Sequence, residues 1–236
     1  MRSPSHLLAY SALVIACWAL AACTPPGGGP PPPDVAPRRY LALGDSYTIG
    51  HAVKGRERWP MQLAARLDEK GVRMAEPEII AENGWTTANL LAALKRVDPH
   101  GPYALVTVLI GANDQFQGAT VDEYAVRFHA VLRNAIGLAG GDPKRVIVLS
   151  IPDWSVTPFA GSRDRSPIAT AIERFNEVNR AKAVRAGARY VDITSESRRA
   201  AADPSLLVGD GLHPSAKMYA AWAELVLPEA LAALRP

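Results

Sequence analysis

From residue 39 onward the apolar positions fall into short continuous runs separated by longer segments of helical spacing. Arg39-Tyr40-Leu41-Ala42-Leu43-Gly44 predicts a first buried strand. Pro60 to Lys70 predicts a helix, with proline near the first turn and Gly71 past the end. Glu78 to Glu82 predicts a second strand, and Thr86 to Val97 a helix stopped by Asp98-Pro99. Tyr103 to Ile110 is apolar enough for a strand buried on both faces. Thr120 to Leu138 predicts a helix opened by a Thr120/Glu123 capping box, with Tyr124, Phe128, Val131 and Ala135 on one side. Arg145 to Ile151 predicts a fourth strand, Ser166 to Ala186 a helix, and Ala188 to Ile193 a short fifth strand. A last helix spans Ser215 to Arg235, with a bend or break expected at Pro228.

Strand and helix therefore alternate five times. That rhythm predicts an α/β fold: a five-stranded parallel sheet in a three-layer α/β/α, flavodoxin-like arrangement. In such sheets ligands bind beyond the carboxyl ends of the strands, so those ends are where chemistry is expected.

The start of the chain has a different pattern. Arg2 precedes a mostly apolar run, Leu7 to Ala22, short for a membrane span and ending in small residues. The closing Leu20-Ala21-Ala22-Cys23 resembles a bacterial lipobox, in which the cysteine is lipidated and becomes the new N-terminus. A plain secretory signal with a chance cysteine is the alternative. Thr24 to Pro33 is almost all proline and glycine, which suits a tether and no core. The expected organisation is thus a signal peptide over 1–22, a lipidated Cys23 and tether over 23–37, and a catalytic domain over 38–236. It implies export and a lipid anchor at the cell envelope.

Composition narrows the chemistry. Of 236 residues, 48% are hydrophobic and 21% charged, as in folded globular proteins. A net charge of +3 with no basic block gives no support for nucleic-acid binding. The only two cysteines are Cys17 and Cys23. The body after the leader therefore has no disulfide, thiolate metal site or cysteine nucleophile. No HExxH or comparable ligand cluster is present, so neither a catalytic metal nor a cofactor is expected.

Four polar, glycine-containing signatures follow the predicted strands: Gly44-Asp45-Ser46-Tyr47, Asn83-Gly84-Trp85-Thr86, Gly111-Ala112-Asn113-Asp114 and Asp210-Gly211-Leu212-His213-Pro214. Their order and spacing resemble the GDSL or SGNH hydrolase family, named for Ser, Gly, Asn and His in four blocks. The resemblance implies Ser46 as nucleophile, with Gly84, Asn113 and His213 in the other blocks. Tyr47 stands where Leu is common, Trp85 where many members have Asp, and Ala112 where a second glycine is usual.

The residue chemistry agrees with that assignment. A serine hydroxyl needs a base, and His213 titrates near neutrality. Asp210, three residues earlier, can orient the imidazole. The backbone N–H groups of Ser46 and Gly84 and the Asn113 amide can meet a developing oxyanion. Asp114 is expected to bond the loop and Asp45 to hold its own turn, whereas His51, His100 and His129 read as scattered. Trp85, Trp154 and Phe116 are candidate substrate contacts, and the loop Pro152 to Arg165 a candidate cleft wall. The expected activity is a serine esterase acting on a short-chain or aryl ester, a lysophospholipid or an acetylated glycan. An envelope O-acyltransferase using the same acyl-enzyme, and a non-catalytic envelope lipoprotein, are the rivals.

Overall fold

The computed structural model describes residues 36–235. The expected leader over 1–22, Cys23 and the tether as far as residue 35 lie outside the described residues. Beyond them the elements run β1 (Tyr40–Gly44), α1 (Ser46–Ile49), α2 (Trp59–Glu69), β2 (Glu78–Ala81), α3 (Thr87–Val97) and β3 (Leu105–Leu109). They continue as α4 (Ala112–Phe116), α5 (Val121–Leu138), β4 (Val146–Leu149), α6 (Arg165–Ala186), β5 (Arg189–Val191), α7 (Thr194–Ser197) and α8 (Ala216–Ala233).

The five strands form one parallel sheet in the order β2-β1-β3-β4-β5. β1, β3 and β4 are buried at every position, which explains their mainly apolar sequence; the buried Thr107 of β3 is paired with the Tyr40 hydroxyl at 3.0 Å. The chain moves from β1 outward to β2, then reverses across β1 to β3. Right-handed crossovers therefore put α2 on one face and α3 on the other. α8 packs on α2, and α5 packs on α3 and α6, completing the outer layers. The reversal opens a crevice at the carboxyl ends of β1 and β3, the place where such sheets bind ligands.

Observed elements match the sequence reading to within one or two residues at most ends. The strands are shorter because their margins bond elsewhere: Tyr103 N–H donates to the Leu138 carbonyl, not into the ladder. The capping box at Thr120 and Glu123 is present in both directions. The expected break at Pro228 is not: α8 runs from Ala216 to Ala233 through it. Trp222, Val226, Leu227 and Ala230 are buried on both sides of the proline, so the lost hydrogen bond is outweighed by packing. α1 and α4 were not foreseen, being four and five residues long. Among the described residues no helix is long and apolar enough to cross a membrane.

Candidate active site

β1 ends at Gly44, where a Cβ would lie 2.2 Å from Thr48 Oγ1 and 2.5 Å from the Leu109 carbonyl oxygen. Only glycine lets the chain turn there against β3. Asp45 then caps α1, its Oδ1 accepting the Tyr47 N–H at 3.0 Å. This fixes Ser46 as the first helical residue, at the mouth of the crevice. Asp45 is fully buried, and burial, aided by the nearby Asp114 charge and opposed by the Tyr47 N–H, pushes its carboxyl up to about 8.

His213 reaches Ser46 from the other end of the chain. Its Nε2 lies 2.9 Å from Ser46 Oγ, and its Nδ1 lies 2.6 Å from Asp210 Oδ2. The other Asp210 oxygen accepts the backbone N–H groups of Leu212 and His213 at 2.8 and 2.9 Å. The carboxylate thus builds its own turn while holding the ring. Burial alone would raise the Asp210 carboxyl, but these hydrogen bonds outweigh it and hold it below the ordinary value. For His213, burial pulls the imidazole below the ordinary histidine value, and the Asp210 carboxylate opposes that pull. The turn is clamped from outside by Val208 N–H on the His213 carbonyl and by Phe159 N–H on the Gly211 carbonyl.

The two remaining blocks come from the loops after β2 and β3. Gly84 has φ +79°, a conformation that favours glycine, and a Cβ there would meet nothing within 4 Å. Backbone conformation, not crowding, is what requires glycine. Asn113 sits in α4 and donates one Nδ2 hydrogen to the Trp85 carbonyl at 3.0 Å. The amide has a second hydrogen, and Asn113 lines the same cleft as Ser46, Gly84 and His213. Beneath it the buried Asp114 accepts both the N–H and the hydroxyl of Thr87, at 2.8 and 2.5 Å. Asp114 bonds the loop, as expected from the sequence.

The cleft has a volume of about 180 Å³. One wall is aromatic. Phe116 lies edge-on to Trp154 at 5.5 Å, and Phe159 is 5.9 Å from Phe116 and 6.0 Å from Trp154. Trp154 is fixed by its indole N–H to Gln115 Oε1 at 2.7 Å, and its loop by Arg198 on Asp153 at 2.8 Å. Trp154 and Phe116 line the cleft, and the Pro152–Arg165 loop supplies Trp154 and Phe159 to its wall. Trp85, a candidate contact from the sequence, does not line the cleft; its half-buried side chain packs against the core, and its carbonyl accepts from Asn113. Sequence reasoning missed His51. Gly50 ends α1 in the left-handed conformation, and the Gly50 and His51 N–H groups both bond the Ser46 carbonyl. His51 is thereby turned back beside Ser46, its ring 4.5 Å from that of His213. Asn83 was missed as well; its amide is 3.0 Å from His51 Nδ1. The only sequence signal for this turn is Gly50 itself, four residues after Ser46.

A profile of the GDSL-like Lipase/Acylhydrolase family matches residues 42–221. No curated protein matches the chain. Several solved structures do. TesA is 22% identical with a TM-score of 0.63, over 81% of this chain and 97% of that one. The lipase/acylhydrolase from Enterococcus faecalis is 20% identical with a TM-score of 0.65, over 84% and 98%. Axe2, an acetyl xylan esterase from Geobacillus stearothermophilus, is 17% identical with a TM-score of 0.60, over 82% and 94%. At these identities the likeness is one of fold.

Proposed function

Since the chain belongs to the GDSL-like lipase/acylhydrolase family and is an ester-hydrolysing enzyme, we propose that Ser46 is its nucleophile, His213 the general base and Asp210 the group that orients His213. The observation that carries this reading is the unbroken line from Ser46 Oγ to His213 Nε2 at 2.9 Å and from His213 Nδ1 to Asp210 Oδ2 at 2.6 Å. Such a line gives each group one role. His213 takes the hydroxyl proton as Oγ attacks the ester carbonyl, then returns it to the departing alkoxide. Water, activated by the same Nε2, releases the acyl group.

The negative charge that develops on the carbonyl oxygen is met by the backbone N–H groups of Ser46 and Gly84 and by the free Nδ2 hydrogen of Asn113. A preset donor of this kind contributes about 2.7–4 kcal/mol to the transition state. Asn113 is held by the Trp85 carbonyl and needs little reorganisation when charge appears.

The substrate is an ester with a short acyl or aryl group. A cleft of about 180 Å³ is small beside the roughly 300–1,000 Å³ of drug-sized sites. It suits one ring or a few carbons, since an apolar cavity of about 150 Å³ holds benzene. The Phe116, Trp154 and Phe159 rings offer such a group an apolar surface beside Ser46. An acetyl ester, the class named for the fold neighbour Axe2, is within this range.

We also propose that the enzyme is exported and held at the cell envelope through a lipid on Cys23. The support is the Leu20-Ala21-Ala22-Cys23 run and the Pro/Gly tether after it. A fluorophosphonate probe tests the site assignment. One adduct on Ser46 is expected by peptide mass, and an adduct elsewhere contradicts the mechanism.

A further inference from the structure

We propose that His51, Asp210 and His213 form a binding site for a zinc-type divalent cation, and that the bound ion shuts the triad off. The shut-off rests on the esterase reading above; the binding does not. One ligand atom from each of the three residues lies within 4.8 Å of the others. His51 Nε2 is 3.7 Å from Asp210 Oδ2, and His213 Nδ1 is 2.6 Å from the same oxygen. Tetrahedral zinc with bonds of about 2.0–2.1 Å sets its ligands roughly 3.3–3.4 Å apart. The first distance needs to close slightly and the second to open by a small rotation of Asp210. Two imidazoles and a carboxylate are a known zinc ligand set, leaving a fourth position for water. His51 and Asp210 have side chains 39% and 34% exposed, so the ion can enter from solvent.

The surroundings fit a ligating histidine. A metal-bound imidazole needs its other ring nitrogen held by an outer partner. For His51 that partner is Asn83, whose amide Nδ2 lies 3.0 Å from Nδ1; the amide oxygen and nitrogen can exchange places by a half-turn. With its amide turned, Asn83 Oδ1 accepts Nδ1–H and leaves the Nε2 lone pair for the ion. The hydrolytic mechanism assigns His51 no step.

The inhibition follows from proton placement. In the working triad His213 carries its proton on Nδ1, toward Asp210, and Nε2 is free to accept from Ser46. An ion on Nδ1 displaces that proton, and the neutral ring then carries it on Nε2. Nε2 becomes a donor to Ser46 and can no longer take the hydroxyl proton. No proton is lost overall, and no bond to the substrate is involved.

The test uses the full chain, freed of metal by chelation, with zinc sulfate as the probe. Calorimetry of the wild type and of Ser46→Ala is expected to show one tightly bound Zn²⁺ each. His51→Phe, which keeps an aromatic ring against His213, is expected to bind at least ~10-fold more weakly, since loss of even an outer partner costs ~10–100-fold. Hydrolysis by the wild type is expected to fall with zinc and recover on chelation, with the inhibition constant raised by the same factor in His51→Phe. Equal zinc sensitivity of wild type and His51→Phe overturns the site, as does no binding to Ser46→Ala. Binding with undiminished hydrolysis overturns the shut-off. Failure of the esterase reading shows separately, as a metal-free Ser46→Ala that still hydrolyses.

Discussion

The carboxyl group of Asp114 accepts both the amide N–H and the hydroxyl of Thr87, and it does so fully buried. Thr87 opens α3, three residues after Gly84, and Asp114 follows Asn113 in α4. The loops bearing Gly84 and Asn113, two of the three proposed oxyanion donors, are therefore joined by one side chain. Asp114→Ala removes the link and leaves the Thr87 donors unpaired in the interior, which costs about 1–3 kcal/mol for each group. We expect a lower unfolding midpoint in urea together with a lower kcat. Asp114→Asn, which keeps one acceptor oxygen, should restore part of both. A variant with full kcat would show that the loops hold their geometry without Asp114.

Asn113 itself should matter through the transition state. Asn113→Ala is expected to lower kcat by about 10²- to 10³-fold with little change in KM, as for other single oxyanion donors. The measurement is a steady-state profile with p-nitrophenyl acetate. A change confined to KM would assign Asn113 to ground-state binding.

Asp45 links stability to pH. Its carboxyl ordinarily titrates near 3.8, and burial, helped by Asp114, raises it to about 8 in the folded protein. Between those values the folded state holds a proton that the unfolded chain releases. Its contribution to stability therefore falls as pH rises through that window, by at most about 1.4 kcal/mol per pH unit. Asp45→Asn keeps an acceptor for the Tyr47 N–H and removes the titration. Relative to wild type, the variant should gain stability steadily from pH 5 to pH 8 in urea unfolding. A difference that stays constant with pH would contradict the buried proton.

The aromatic wall should set substrate preference. Trp154→Ala removes a ring held by Gln115 and packed on Phe116 and Phe159. We expect kcat/KM for phenyl acetate to fall at least tenfold, with a smaller loss for ethyl acetate, because the aryl ester uses more of the apolar surface. Equal losses for the two esters would remove Trp154 from substrate contact.

The parts legible in the sequence were the ones written locally. The central strands β1, β3 and β4 are short, mainly apolar runs, and Ser46, Gly84, Asn113 and the Asp210–His213 pair each lie in their own glycine-containing signature. Their meeting point follows from the alternation of elements and the reversal at β1. What escaped depends on turns that no short pattern specifies. His51 reaches His213 because α1 stops after four residues and Gly50 turns left-handed. Trp85 packs against the core and not into the cleft, a side-chain direction that no local pattern states. Pro228 stays inside α8 because tertiary packing prevails over local preference.

The central claim is that Ser46 carries the reaction. The most direct measurement is kcat/KM for p-nitrophenyl acetate in the wild type and in Ser46→Ala, with circular dichroism to show that both are folded. Loss of a triad nucleophile removes up to roughly 10⁶-fold of kcat, so we predict a fall of at least about 10⁴-fold in a folded variant. A folded Ser46→Ala enzyme retaining a tenth of the wild-type rate would contradict the account.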